Sequence, residues 1–357
     1  DFRLMEELLE KMYNKNYQQI KEVHMRKKMP SIHSGFVGLI FFLFFALSVN
    51  NTAFSQTAPE EAEKLWNLRQ TEIQQFYQEG NLEGALNSAQ KAVSLAETAF
   101  GSGSLETISS LLLQAQIHSE MDQLEEANQI YQVTLETSVA SFGESDTTTL
   151  SVLDNYGEFL NSIDPEMAEP VFQEALQLSS EDDPQRASRM KAVGLNLLEL
   201  GRIIEAEEML KQALKTFKEI SGEKNTEALS AMASLAQLYM SQGKLKHAQE
   251  LFETALPIML ESLDETSFLI LESKENLAEI YRQQGKYSQA ETLFLQSMKA
   301  AEAEYGEGDP LVVQAKSHLA QLYEDTGKLK QALAFHQQVY EIDSELLGER
   351  HPNTAGD

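Results

Sequence analysis

With 357 residues, 42% of them hydrophobic and 24% charged, the chain carries enough apolar material for a large core and too much for disorder. It has no cysteine, which excludes disulfides, thiolate metal sites and cysteine nucleophiles. The 56 acids against 28 bases leave a net charge of −28, a field that repels phosphate backbones and anionic lipid heads and argues against nucleic-acid binding.

The N-terminal part reads as an address label. Asp1 is not an initiator, and the natural starts are Met5, Met12, Met25 and Met29. Residues 1–24 are an upstream segment that the native protein need not contain; alternatively they form an amphipathic helix, since Leu4, Leu8, Leu9 and Met12 share one face. Residues 25–55 have the three parts of a secretory signal peptide. These are a basic stub (Met25 to Met29), an apolar run (Gly35 to Val49) and the small residues of Ala53-Phe54-Ser55 before Gln56. The run is short for a spanning helix, which needs about 20 apolar residues. Export to the periplasm or the medium is expected, with an uncleaved membrane anchor as the alternative. Loss of residues 1–55 removes more bases than acids, so the exported body is more acidic than the whole.

From Pro59 onward apolar residues recur at three and four, the helical period. Seven alanines mark a repeat: Ala85, Ala127, Ala168, Ala206, Ala248, Ala290 and Ala332. A first helix is expected to end before each, near Gly80, Asp122, Asp164, Gly201, Gly243, Gly285 or Gly327. Gly101, Gly143, Gly222, Gly306 and Gly348, with Asp264 at the equivalent place, mark the loop to the next pair. The fourth unit starts differently, at Glu181-Asp182-Asp183-Pro184, without the glycine. The expected fold is all-α, an α-solenoid of about seven antiparallel helix pairs over residues 59–348. Residues 349–357 read as the start of a truncated further repeat.

No catalytic constellation stands out. The seven histidines are scattered, with no zinc-helix pattern, and His118 reads as a core histidine rather than a ligand. Gly101-x-Gly103 and Gly306-x-Gly308 lack the third glycine of a phosphate cradle. No cofactor and no metal are expected, and the chain reads as not an enzyme.

Three segments align without a gap: Leu235-Ala236-Gln237-Leu238-Tyr239, Leu277-Ala278-Glu279-Ile280-Tyr281 and Leu319-Ala320-Gln321-Leu322-Tyr323. Each precedes Gly-Lys (Gly243-Lys244, Gly285-Lys286, Gly327-Lys328) and a turn alanine, and Gly348 to Pro352 reads Gly-x-x-His-Pro. Together they resemble the tetratricopeptide repeat in its 42-residue, kinesin-light-chain-like form, strongly from about 187 to 352 and more weakly before it. His118 and Glu72 depart from the pattern. Tyr156-Gly157 fits it only if the next turn is one residue short.

The resemblance implies a right-handed superhelix whose first helices line a concave groove for a peptide or protein segment. By its register the groove positions are Lys191, Leu195, Leu198 and Glu199, then Ser230, Ala233, Gln237 and Met240. They continue with Glu272, Glu275, Glu279 and Arg282, and then Gln314, Ser317, Gln321, Glu324 and Asp325. Leu195, Leu198 and Met240 form an apolar spot beside an acidic wall, which suits a partner with apolar and basic residues. The expected function is a non-catalytic, exported interaction scaffold. The alternatives are the recognition half of a larger enzyme continuing beyond Asp357, or a self-assembling structural protein. The last helix offers Leu333, Phe335, Val339, Tyr340 and Ile342 with nothing after Pro352 to cover them, so its edge is expected to self-associate.

Overall fold

The computed structural model describes residues 58–347, which form helices throughout and, among the described residues, no strand. The upstream segment, the signal peptide and residues 349–357 lie outside them. The helices follow one another in pairs. They are α1 (Ala58–Gln78) with α2 (Leu82–Phe100), α3 (Leu105–Glu120) with α4 (Leu124–Phe142), and α5 (Thr147–Ile163) with α6 (Pro165–Leu178). Then come α7 (Arg186–Glu199) with α8 (Ile203–Ser221), α9 (Thr226–Ser241) with α10 (Leu245–Ser262), α11 (Phe268–Gln283) with α12 (Tyr287–Tyr305), and α13 (Pro310–Asp325) with α14 (Leu329–Leu347). The described chain is an all-α solenoid of seven helix pairs, and the seven turn alanines are all buried. It divides into two compact units, one ending at Arg189 and one starting at Met190.

The turn inside a pair is a left-handed residue. Gly243, Gly285 and Gly327 have φ of 68°, 72° and 70°. The following lysine N–H reaches back to the carbonyl of Tyr239, Tyr281 or Tyr323 at 2.8 Å each, which satisfies an otherwise orphaned helix end. Asp122 adopts the same conformation at φ 59°, a tolerable cost for a short polar side chain. Asp164 does not. Its backbone is extended, and it closes α5 through Leu160 O while its carboxylate caps α6 at Glu166 N. One residue thus ends one helix and starts the next, which is the shortened turn that Tyr156-Gly157 requires. The loop at Asp264 differs too: Leu263 leaves α10 in an extended conformation, with no left-handed residue.

That short turn draws α5 and α6 together. A Cβ on Gly157 would come within 2.6 Å of the Phe172 ring, at the place where later units carry Ala236, Ala278 and Ala320. Gly157→Ala is therefore expected to destabilise unit 1 by about 1–2 kcal/mol despite alanine's better helix propensity. Denaturant unfolding would measure it, and adding Phe172→Leu should recover most of the loss.

In unit 1 the core near the N-terminus gathers Ile73, Ala85, Ala89, Ala92 and Ile117. The Trp66 indole N–H donates to Ser110 Oγ at 2.8 Å. His118 is buried with Nδ1 2.5 Å from Gln123 Oε1, as a core histidine should be. Glu72 pairs with Arg69 at 2.6 Å. The glycine-free segment after α6 is held by two arginines instead. Arg186 Nη1 donates to the carbonyls of Leu176 (2.9 Å) and Ser179 (2.6 Å). Arg189, itself buried, donates Nε to both oxygens of Asp154 (3.0 and 3.1 Å) and Nη1 to Asp183 Oδ2 (2.6 Å). Burial pushes the Asp154 carboxyl up, Arg189 opposes the shift, and Asp183 adds to it.

In unit 2 a ladder of tyrosines ties α9, α11 and α13 each to the second helix before it. Tyr239 donates to Glu207 at 3.1 Å, Tyr281 to Glu253 at 2.7 Å and Tyr323 to Glu291 at 2.8 Å. Lys244, Lys286 and Lys328 lie over the same three rings, 5.3, 5.2 and 5.0 Å from their centroids. Two further lysines, Lys274 and Lys316, thread their stems through the interior (each 2% exposed) and end on the loop carboxylates Glu265 and Glu307 at 3.1 and 2.9 Å.

Candidate interaction groove

The residues assigned to the groove all belong to α7, α9, α11 and α13 of unit 2. Most of their polar groups already bond to one another. Lys191 Nζ donates to Glu227 (2.9 Å) and Ser230 Oγ (3.2 Å). Gln237 donates to Glu272 at 2.8 Å. Arg282 grips Glu279 with two hydrogen bonds, Nε to Oε2 at 2.7 Å and Nη2 to Oε1 at 2.9 Å, and its Nη1 also pairs with Asp325. Gln283 adds a third bond to Glu279 at 2.7 Å. Glu324 meets His336 Nε2 at 3.2 Å.

Glu275 is a correction to the sequence reading. It lies in the interior at 7% exposure, not on the groove face. Ser297 donates to its Oε1 at 3.0 Å, and His318 Nδ1 stands 3.0 Å from its Oε2. The Phe294 ring leans on His318, 5.2 Å between centroids. Serine, histidine and carboxylate here do not form a catalytic triad: the carboxylate stands between the other two, and the serine is buried away from any substrate.

Burial pushes the Glu272 carboxyl up; the Gln237 hydrogen bond opposes this and neighbouring Glu275 reinforces it. Burial acts the same way on Glu279, but the Arg282 and Gln283 hydrogen bonds outweigh it and hold that carboxyl below its ordinary value. Glu279 and Asp325 thus share one guanidinium, while the Glu272 carboxylate meets only a neutral amide. Leu195, Leu198 and Met240 are half-buried, Ala233 is buried, and Gln314 and Gln321 are exposed. Among the described residues no group of three or more His, Asp or Glu side chains could hold a metal ion.

The partners His318, His336 and Gln283 were not singled out in the sequence. The Glu279–Arg282 and Glu279–Gln283 spacings of three and four are the helical neighbour spacings. The cross-repeat pairs are separated by 35, 36 or 43 residues, close to one repeat, so the period itself carried that signal.

The family model of the tetratricopeptide repeat matches residues 185–261 and 269–345. No curated protein matches the chain. Among solved structures, a signal-transduction ATPase (STAND) protein with a tetratricopeptide repeat sensor from Pyrococcus horikoshii is 17% identical, with a TM-score of 0.61 over 81% of this chain and 43% of its own. A tetratricopeptide repeat protein from Parabacteroides merdae is 16% identical, with a TM-score of 0.52 over 78% and 93%. The kinesin-light-chain-like TPR repeats of Podosopora anserina are 18% identical, with a TM-score of 0.42 over 67% and 95%. The helix pairs and left-handed turns run through both units, and within them residues 185–261 and 269–345 are similar to the tetratricopeptide repeat.

Proposed function

We propose that the chain is a non-catalytic, exported scaffold that holds a peptide or protein segment against the first-helix face of unit 2. The observation that carries this reading is the half-buried trio Leu195, Leu198 and Met240 beside a row of polar groups bonded to one another. Glu227, Glu279 and Asp325 are already paired with Lys191 or Arg282, so affinity rests on an apolar anchor at the trio. Exposed Gln321 and the Glu324–His336 pair lie toward the side where basic residues of the segment would run. Such anchors typically carry about 2 kcal/mol or more, while rim charges mainly set association rate and salt dependence.

The test is capture of partners from the native envelope and medium fractions by the chain and by a Leu195→Glu, Leu198→Glu variant. The variant is expected to keep its helical circular dichroism and lose the captured partner. Retained binding by a folded variant would refute the groove. Export rests on the basic stub, the short apolar run and the small-x-small site before Gln56. Mass spectrometry of the protein from its native fraction should find Gln56 at the N-terminus; a start upstream of Gly35 would instead favour the uncleaved anchor.

A further inference from the structure

On three first helices of unit 2 the fold gives nearly every carboxylate a basic neighbour. Six acids stand on α9, α11 and α13, and five of them meet a cation or an imidazole. Glu227 pairs with Lys191, Glu279 and Asp325 share Arg282, Glu275 meets His318, and Glu324 meets His336. Glu272 is the exception. Its Oε1 accepts from the neutral amide of Gln237 at 2.8 Å, and no cation among the described residues pairs with it. The side chain is half-buried, so water screens its charge only in part. Burial outweighs the Gln237 hydrogen bond and pushes the carboxyl up, and Glu275 adds to the shift. The acid is also particular to this unit. One repeat away on either side stand Ser230 and Gln314, and two repeats back Ser188, all neutral.

Gln237 relates this carboxylate to the apolar trio. Met240 follows Gln237 by three residues, on the same side of α9 and about 5 Å further along its axis. An extended segment points alternate side chains the same way, about 7 Å apart. A segment with an apolar side chain against Leu195, Leu198 and Met240 therefore brings the side chain two residues away within reach of Glu272. A neutral donor there would satisfy the second carboxylate oxygen and leave its charge uncompensated. An ammonium or guanidinium answers both.

We propose that Glu272 selects a basic side chain, lysine or arginine, two residues from the apolar anchor of the segment held in the groove. This rests on the groove reading above, and the test separates the two. The probes are fluorescein-labelled decapeptides of serine and alanine that carry one leucine, with lysine, arginine, glutamine or glutamate two residues to either side of it. Fluorescence anisotropy on the full chain should find the basic peptides bound about tenfold more tightly than the glutamine ones, with glutamate weakest. Glu272→Gln keeps an oxygen for Gln237, so circular dichroism should not change. The preference for basic peptides should vanish in it while glutamine peptides bind as before. Glu272→Lys should turn the preference toward glutamate. A basic preference that persists in Glu272→Gln would overturn the proposal, as would wild-type binding that ignores the charged position. If that binding is still lost in Leu195→Glu, Leu198→Glu, the groove stands and only the role of Glu272 falls. Binding that survives the leucine variant overturns both, and so does the absence of binding by any peptide.

Discussion

Arg189→Met is expected to cost about 3–5 kcal/mol of stability, because it removes one partner from a buried ion network and leaves two carboxylates facing each other. Asp154 and Asp183 both close on this guanidinium, and Asp183 is buried with the arginine. Methionine fills much of the volume, so the loss measures the charge and not a cavity. The sign of the pH dependence follows from Asp154, whose carboxyl burial already raises. Without Arg189 it rises further. A raised carboxyl favours its neutral form in the fold, so its stabilising effect is full below the unfolded value and is lost as pH rises through the folded one. The deficit measured by urea unfolding should therefore be large at pH 7 and narrow near pH 3. Adding Asp154→Asn and Asp183→Asn should return at least half of it at pH 7. A deficit indifferent to both acid and amides would mean that Arg189 acts through packing alone.

Replacing Tyr239, Tyr281 and Tyr323 together by phenylalanine should destabilise unit 2 by about 3 kcal/mol, roughly 1 kcal/mol for each partly solvated bond between a hydroxyl and a carboxylate. The pH profile should change at both ends. Glu207 is held down to about 2, first by its hydrogen bond from Lys211 and then by those from Gln242 and Tyr239 against an opposing burial effect. Glu253 and Glu291 are lowered chiefly by the tyrosine hydroxyls. Depressed carboxyls stabilise above their unfolded values, and that stability goes as pH falls from the ordinary carboxylate range toward 2. Burial and then the neighbouring carboxylate push Tyr281 and Tyr323 up to about 12. A raised phenol stabilises fully below its ordinary value near 10, and this is lost as pH rises through 12. The triple variant should have a shallower acid flank and no alkaline flank from these three positions. Stability measured from pH 2 to pH 12 checks both, and unchanged flanks would show that the ladder does not couple the repeats.

The helix pairs were legible because each turn repeats the same steric problem. A left-handed residue and a small residue must recur, and Gly285 with Ala290 states both in the sequence. The departure at Asp164 was legible as a missing residue, though not its double duty as the end of one helix and the cap of the next. The groove was less legible. A strict register treats Glu275 as equivalent to Ala233 and Ser317, and a side chain that small has no reason to turn inward. A carboxylate does, once His318 and Ser297 offer it partners inside. The Arg189 network was hidden for a related reason. Its acids sit 35 and 6 residues away in sequence, and nothing in the composition of Glu181-Asp182-Asp183 says which carboxylate is buried.

The middle rung of the tyrosine ladder shows how such a repeat can drift. At the step where Glu207 and Glu291 stand, α10 has Gln249, and the acceptor for Tyr281 is Glu253, one helical turn further on. Gln249 donates to that same carboxylate at 2.6 Å. Two positions one turn apart can thus serve the same hydroxyl, and either can mutate while the other holds the charge. Co-substitution at 249 and 253, read across natural variants, should then run in compensating pairs, with a carboxylate at one place or the other. An array of this kind can exchange its identical-looking units for divergent ones without passing through an unlinked intermediate.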